Sequence, residues 1–149
     1  MRYTIEQVMD RLEIEDLITD YAAIIDSGEV DKLDAIFTPD AAIDYSAMGG
    51  AKGAYPEVKE FLRKALKGFK NTQHLISNFE IKLDGDRATG KIMCFNPMEM
   101  DSGERPAIPV FFIGLWYHDE YVKTADGWRI AARSESKSWT HNLPSFMKL

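Results

Sequence analysis

Apolar residues at Ile5, Val8, Met9, Leu12, Leu17, Ile18, Tyr21, Ala22 and Ile25 recur mostly at helical spacing and predict a long opening helix. Thr4 with Gln7 three residues on has the form of a capping box, and Ser27-Gly28 has the form of a helix stop. The polar stretch 13–16 interrupts the stripe and predicts a kink or a restart. A short second helix is expected with Asp31 as its N-cap, Leu33, Ile36 and Phe37 turned inward, and Pro39 ending it. Residues 41–45 read as a short strand, and Gly49, Gly50 and Gly53 mark a flexible loop. Pro56 suits the first turn of a third helix, whose apolar face is Val58, Phe61, Leu62, Ala65, Leu66 and Phe69.

From Thr72 onward the rhythm changes to that of strands. Residues 74–83 and 88–98 form an expected hairpin around Asp84-Gly85-Asp86. Residues 101–109, with Gly103, Pro106 and Pro109, read as a loop. Two further long strands, 110–122 and 128–139, are joined by a turn at Thr124-Ala125-Asp126-Gly127. Helices first and antiparallel strands after them is the α+β pattern, in one domain spanning 1–149, with no repeat and no linker. Long strands joined by hairpins twist and curl, so a curved antiparallel sheet with N-terminal helices over its concave face is expected to enclose a cavity.

Composition narrows the partners. The chain has 149 residues, 45% hydrophobic and 28% charged, and a formal net charge of −6. That sign argues against sequence-independent nucleic-acid binding and against docking on anionic membranes. The three Trp, six Tyr and eight Phe suffice to fill a core or to line an apolar cavity. Cys94 is the only cysteine, which excludes an intrachain disulfide and a thiolate metal site, and its apolar neighbours suit a buried inert thiol. With no apolar leader or membrane-length stretch, a soluble cytoplasmic protein is expected. No HExxH, clustered His/Cys set, EF-hand spacing or phosphate-binding glycine loop is present, so neither a metal nor a cofactor is expected.

The titratable candidates follow from position. Asp26 lies in the last turn of the first helix, where the macrodipole disfavours a carboxylate, directly after the apolar run Ala22-Ala23-Ile24-Ile25. His74 opens a strand, and an imidazole takes up protons near neutrality. Tyr21 sits on the apolar stripe, where its hydroxyl either packs in the core or donates to a substrate oxygen. Five residues at about 3.6 per turn set Tyr21 and Asp26 some 140° apart, so both reach one cavity only if the helix end lies across its mouth. Tyr45, Phe61, Phe95, Met98, Phe112, Trp116, His118 and Arg133 are the candidate pocket residues. Alternation places Trp116 and His118 on one face and Tyr117, Asp119 and Tyr121 on the other, without saying which face is concave.

The segment from Ile14 to Asp26, the string Phe37-Thr38-Pro39-Asp40-Ala41, the string Gln73-His74-Leu75-Ile76-Ser77-Asn78 and the closing Asp126-Gly127-Trp128-Arg129-Ile130 stand in this order. Together they resemble the SnoaL-like branch of the nuclear transport factor 2-like, cystatin-like cone superfamily. The resemblance is nearest to the scytalone dehydratase, hexachlorocyclohexane dehydrochlorinase and bile-acid dehydratase group. It implies a cone-shaped α+β domain, a catalytic Asp at the Asp26 position, a catalytic His at the His74 position and an assisting Tyr at the Tyr21 position. It also implies a cofactor-independent lyase acting on a small hydrophobic or aromatic oxygenated molecule, in a homo-oligomer that is a trimer or a dimer. His118 is the candidate for a second histidine, and Arg133 for an anion-binding group. A non-catalytic binding or oligomerisation module, and a cyclase or isomerase in the same pocket, remain as alternatives.

Overall fold

A computed structural model describes residues 3–101 and 110–147. Helix α1 (Ile5–Ser27) starts on the expected capping box: Thr4 Oγ1 accepts from the Gln7 N–H at 3.2 Å, and Gln7 Oε1 accepts from the Thr4 N–H at 3.0 Å. It ends at Gly28, whose φ of 72° is a left-handed conformation that costs glycine little. The helix is continuous, without the break expected at residues 13–16. Ile14 there is fully buried, while Glu13 accepts from the Trp128 N–H at 3.0 Å and Glu15 pairs with Arg11 at 2.9 Å. These polar residues are thus held by partners while the helix runs on. Ile14, Leu17, Ile18, Tyr21, Ala22, Ile24 and Ile25 face inward; Ile5, Met9 and Leu12 in the first half stay exposed.

The expected short second helix is of the 3-10 kind (Val30–Ala35), with Glu29 rather than Asp31 at its N-cap position. The chain then enters strand β1 (Phe37–Asp44), so Pro39 lies inside a strand. It is tolerated because the pairing shifts register between Phe37 and Ala42, leaving Pro39 without a ladder partner. Strand β2 (Lys52–Ala54) pairs antiparallel with β1, and helix α2 (Tyr55–Ala65) follows with Pro56 in its first turn. Leu66 and Phe69, expected on that helix, fall in a 3-10 turn (Leu66–Gly68) and in strand β3 (Phe69–Thr72).

The long strands are β4 (Leu75–Asp84), β5 (Arg87–Met100), β6 (Phe111–Thr124) and β7 (Gly127–His141), close to their expected positions. Of the loop expected at 101–109, residues 102–109 lie outside the described residues. Among the described residues seven strands form one curved, unclosed sheet in the order β2-β1-β7-β6-β5-β3, with β4 also on β5. All neighbours are antiparallel except β1 and β7. Two separate strands therefore share one edge: β3 meets Met98–Met100 and β4 meets Arg87–Phe95. Gln73 and His74 fall in the gap between them, opposite Asn96 and Pro97.

Helix α1 lies over β4 and β7, and α2 over β1. Two polar clusters are built into this interior. Asp10, on α1, accepts from the Trp128 indole N–H at 3.0 Å and from Lys123 Nζ at 2.7 Å. Farther in, Arg133 donates from Nε and Nη2 to the two oxygens of Asp119, each at 2.7 Å, and both side chains are fully buried. Tyr121 adds its hydroxyl to Asp119 at 2.6 Å, and the guanidinium lies over the rings of Tyr21 and Tyr117 at 4.1 and 4.3 Å.

Two stability outcomes follow. Burial works against the Asp10 carboxylate, but the hydrogen bonds from Lys123 and Trp128 hold it below its ordinary value. Its contribution is therefore present above about pH 4 and lost as pH falls through the lowered folded value. Asp10→Ala leaves the Trp128 indole N–H without its acceptor and is expected to cost about 1–3 kcal/mol in urea unfolding at pH 7, with a smaller difference in acid. Asp119→Ala strands a buried guanidinium and is expected to cost about 3–5 kcal/mol. Replacing Asp119 and Arg133 together by apolar residues of similar volume is expected to cost less than Asp119→Ala alone.

Candidate functional site

The break in the sheet edge leaves the His74 main-chain N–H without a strand to donate to. Asp26 fills that role: Oδ2 accepts from the His74 N–H at 2.8 Å, and Oδ1 lies 2.6 Å from ring Nδ1. One carboxylate thus fixes both the backbone and the ring of His74. The same two bonds compensate the helix C-terminal field acting on Asp26. The His74 side chain is only 8% exposed. Asp26 approaches from behind the ring and is not among the cavity-lining residues, whereas Tyr21, five residues earlier, is. The wide angle between them on α1 is therefore what the arrangement uses, one residue on the cavity side and the other on the far side of the imidazole.

The other ring nitrogen faces Asn96, which sits on the inner face of β5 opposite the gap. We assign the Asn96 amide with its nitrogen toward Thr72 Oγ1 at 2.9 Å and toward the carbonyl oxygens of Gln73 and Pro97, both at 3.2 Å. The opposite orientation would set its carbonyl oxygen against two others. The Asn96 oxygen then stands 3.1 Å from His74 Nε2, placed to accept from it once that nitrogen carries a proton. Acceptors at both ring nitrogens suit the imidazolium that forms once His74 has taken a proton.

His74 and Asn96 stand on the wall of a cavity of about 270 Å³. Its apolar lining includes Ile25, Leu62, Phe69, Met98, Ile113 and Leu115, and its polar groups are Thr72, His74, Asn96, Glu135 and the hydroxyls of Tyr21, Tyr45 and Tyr117. Mostly apolar walls with a few convergent polar groups are the usual make-up of a small-molecule site. The Tyr21 and Tyr45 hydroxyls are 3.0 Å apart. Burial raises Tyr21 to about 12, with Arg133 acting the other way, and raises Tyr45 and Tyr117 further. All three are therefore hydroxyl donors at neutral pH. Burial likewise raises Cys94 to about 12, the state of an inert thiol.

The pocket candidates divide by strand parity. Tyr45, Phe61 and Met98 line the cavity, with Phe61 at 38% exposure. Phe95, Phe112, Trp116 and His118 do not. On β5 the inward residues are Ile92, Cys94, Asn96 and Met98, and on β6 they are Phe111, Ile113, Leu115, Tyr117, Asp119 and Tyr121. Phe95 and Phe112 stack at 5.7 Å with Trp139 beside them on the outer face, where Gly114 leaves room for the Trp139 ring. Trp116 lies under Lys91 Nζ at 4.3 Å, and His118 bonds Ser136 Oγ at 2.8 Å. His118 is therefore separated from the cavity by the sheet itself. Arg133 faces inward but does not line the cavity; it lies beneath Tyr21 and Tyr117, held by Asp119, and among the described residues its Nη1 has no hydrogen-bond partner.

Asn96 and Glu135 are the functional-site residues that sequence reasoning passed over. Asn96 was detectable as the polar member of the alternating set Ile92, Cys94, Asn96, Met98. Glu135 shares the face of Arg133 two positions on, but its neighbours Ser134, Ser136 and Lys137 gave no sign of an enclosed site. Among the described residues no group of three or more His, Cys, Asp or Glu side chains stands close enough to hold a metal, and no helix is long and apolar enough to cross a membrane.

The model of the SnoaL-like domain family matches residues 6–134. An uncharacterized protein of Mycobacterium tuberculosis is 46% identical over 134 residues, covering 90% of this chain and 89% of that protein. Among solved structures, a Kribbella flavida protein has a TM-score of 0.80 at 28% identity, covering 90% of this chain and 94% of its own. A scytalone dehydratase-like protein of Novosphingobium aromaticivorans has a TM-score of 0.75 at 23% identity, covering 94% of this chain and 91% of its own. A hexachlorocyclohexane dehydrochlorinase, LinA type 2, has a TM-score of 0.78 at 19% identity, covering 97% and 96%. At these identities the last two likenesses are of fold. A match over residues 6–134, on a cone of helices and curved sheet, makes this chain a member of the SnoaL-like family.

Proposed function

We propose that the protein is a cofactor-independent lyase that eliminates water or a related leaving group from a small hydrophobic or aromatic oxygenated substrate. The observation that carries this reading is the Asp26–His74 pair, 2.6 Å apart, on the wall of an apolar cavity. Asp26 holds the Nδ1 proton and sets the tautomer, which leaves Nε2 to take a proton from a carbon next to a carbonyl. As Nε2 gains that proton, the Asn96 oxygen accepts it in a hydrogen bond. Tyr21, protonated and hydrogen-bonded to Tyr45, donates to the substrate carbonyl, where negative charge develops. The likeness in fold to a dehydratase-like protein and a dehydrochlorinase supports elimination as the chemistry of such a dyad. The aromatic surface around Trp139, which is 47% exposed, supports a homo-oligomer formed through the outer sheet face.

The test is turnover of small aromatic hydroxy ketones, followed by absorbance of the conjugated product and by mass. Loss of one water distinguishes elimination from the equal-mass product of an isomerase. His74→Ala is expected to abolish turnover, and Asp26→Asn to lower kcat by about 10²–10⁴-fold while circular dichroism stays unchanged. Turnover by His74→Ala near the level of the unmodified protein overturns the assignment.

A further inference from the structure

Glu135 is a carboxyl group in an unusual place. It projects from the inner face of β7, in register with Tyr117 of β6, and lines the cavity with Tyr21 and Tyr45. Among the described residues nothing donates a hydrogen bond to it and nothing forms an ion pair with it. Arg133, two residues away on the same strand, has committed its charge to Asp119. An ionised carboxylate in an apolar cavity without a donor is costly, whereas the acid form is not. Burial raises Glu135 to about 8; Arg133 acts against that, while Asp119 on β6 and Asp44 on β1 add to it. The remaining titratable groups around it are the hydroxyls of Tyr21, Tyr45 and Tyr117 and the Cys94 thiol, all uncharged at neutral pH.

His74 lies against β5, and β6 separates β5 from β7. Three strand spacings of about 4.8 Å separate His74 and Glu135 across the sheet, and the register sets Glu135, level with Ile92, about 13 Å along the strands from His74, level with Asn96; both line the one cavity from opposite walls. A small substrate thus fits between a base on one wall and an acid on the other. The geometry points to Glu135 as a second catalytic residue, the general acid that protonates the departing oxygen of a β-hydroxy carbonyl substrate. This inference rests on the lyase reading above and narrows its substrate class to alcohols.

The step balances. His74 Nε2 takes the proton from carbon, and the C–H electron pair becomes the new C=C bond. The C–O bond breaks with its pair going to oxygen, and the Glu135 proton completes a molecule of water. His74 ends protonated and Glu135 ionised; a proton passed from one to the other through solvent after release restores both. A chloride leaving group needs no such proton.

That difference is the test. Two probes share one phenyl-bearing carbon skeleton, a β-hydroxy ketone and a β-chloro ketone, and both yield the same conjugated enone. Glu135→Gln is expected to slow enzymatic dehydration by about 10²–10⁴-fold, to leave dehydrochlorination above the spontaneous rate within about threefold, and to be partly rescued by Glu135→Asp. His74→Ala should lose both reactions. Dehydration by the unmodified protein should fall as pH rises past about 8, where Glu135 gives up its proton, while dehydrochlorination should not follow that limb. Equal loss of both reactions in Glu135→Gln, or loss of neither, overturns the proposal. If the unmodified protein turns over neither probe, the lyase reading fails separately, and carbon-13 NMR titration of Glu135 decides the acid. A carboxyl titrating in the ordinary carboxylate range refutes it as a proton donor, and one that holds its proton to near pH 8 supports it.

Discussion

The sheet of this protein is deliberately incomplete along one edge. Two separate strands, rather than one continuous one, lie against β5, and His74 between them has a main-chain donor with no strand to receive it. Asp26 answers that need from the last turn of α1. A carboxylate there is opposed by the helix field, and two hydrogen bonds from His74 offset the opposition. The helix end, the strand break and the imidazole are therefore mutually dependent. Removing the carboxylate would leave an unpaired N–H in the chain and an unanchored ring at once, so structure and chemistry share a single group.

Behind the cavity lies a second constraint. Arg133 is buried with its charge balanced by Asp119 and its guanidinium against the rings of Tyr21 and Tyr117. The cation lies in the corner between the two phenol rings, which meet edge to face at 5.8 Å, and so ties the ion pair to the side chains whose hydroxyls enter the cavity. The guanidinium lies outside the cavity lining, but its ion pair holds the cavity floor. Polarity in this interior is thus layered: a salted base under a ring of neutral donors, with apolar walls above.

The long elements could be read from periodicity because each buries one face over many residues. The capping box, the hairpin turns and the alternation in β5 to β7 all left marks in the sequence. β2 and β3 did not, since Lys52-Gly53-Ala54 and Phe69–Thr72 are strands only because a neighbouring edge pairs with them. Strand parity was legible but not its sign. Trp116 and His118 share a face by alternation, yet only the packing of Tyr117 against Tyr21 shows that theirs is the outer one. Asp26 and His74 were singled out by position and family resemblance, because nothing local to either residue announces a contact across 48 positions. Glu135 was hidden by its surroundings: Ser134-Glu135-Ser136-Lys137 has the composition of a solvated strand end.

The parallel pairing of β1 with β7 joins the first strand to the last. Such a contact carries a large loop-closure cost and forms late in folding. On the ribosome, a nascent chain that has released α1, β4 and β5 already possesses the imidazole, its carboxylate and the facing amide. The cation beneath the phenols and the acid on the opposite wall are both still to be translated. The cavity is therefore assembled from its edge inward, and until β7 arrives β1 is paired only with the three residues of β2, which makes the interval before the final hairpin the period in which this chain is most open to association with others.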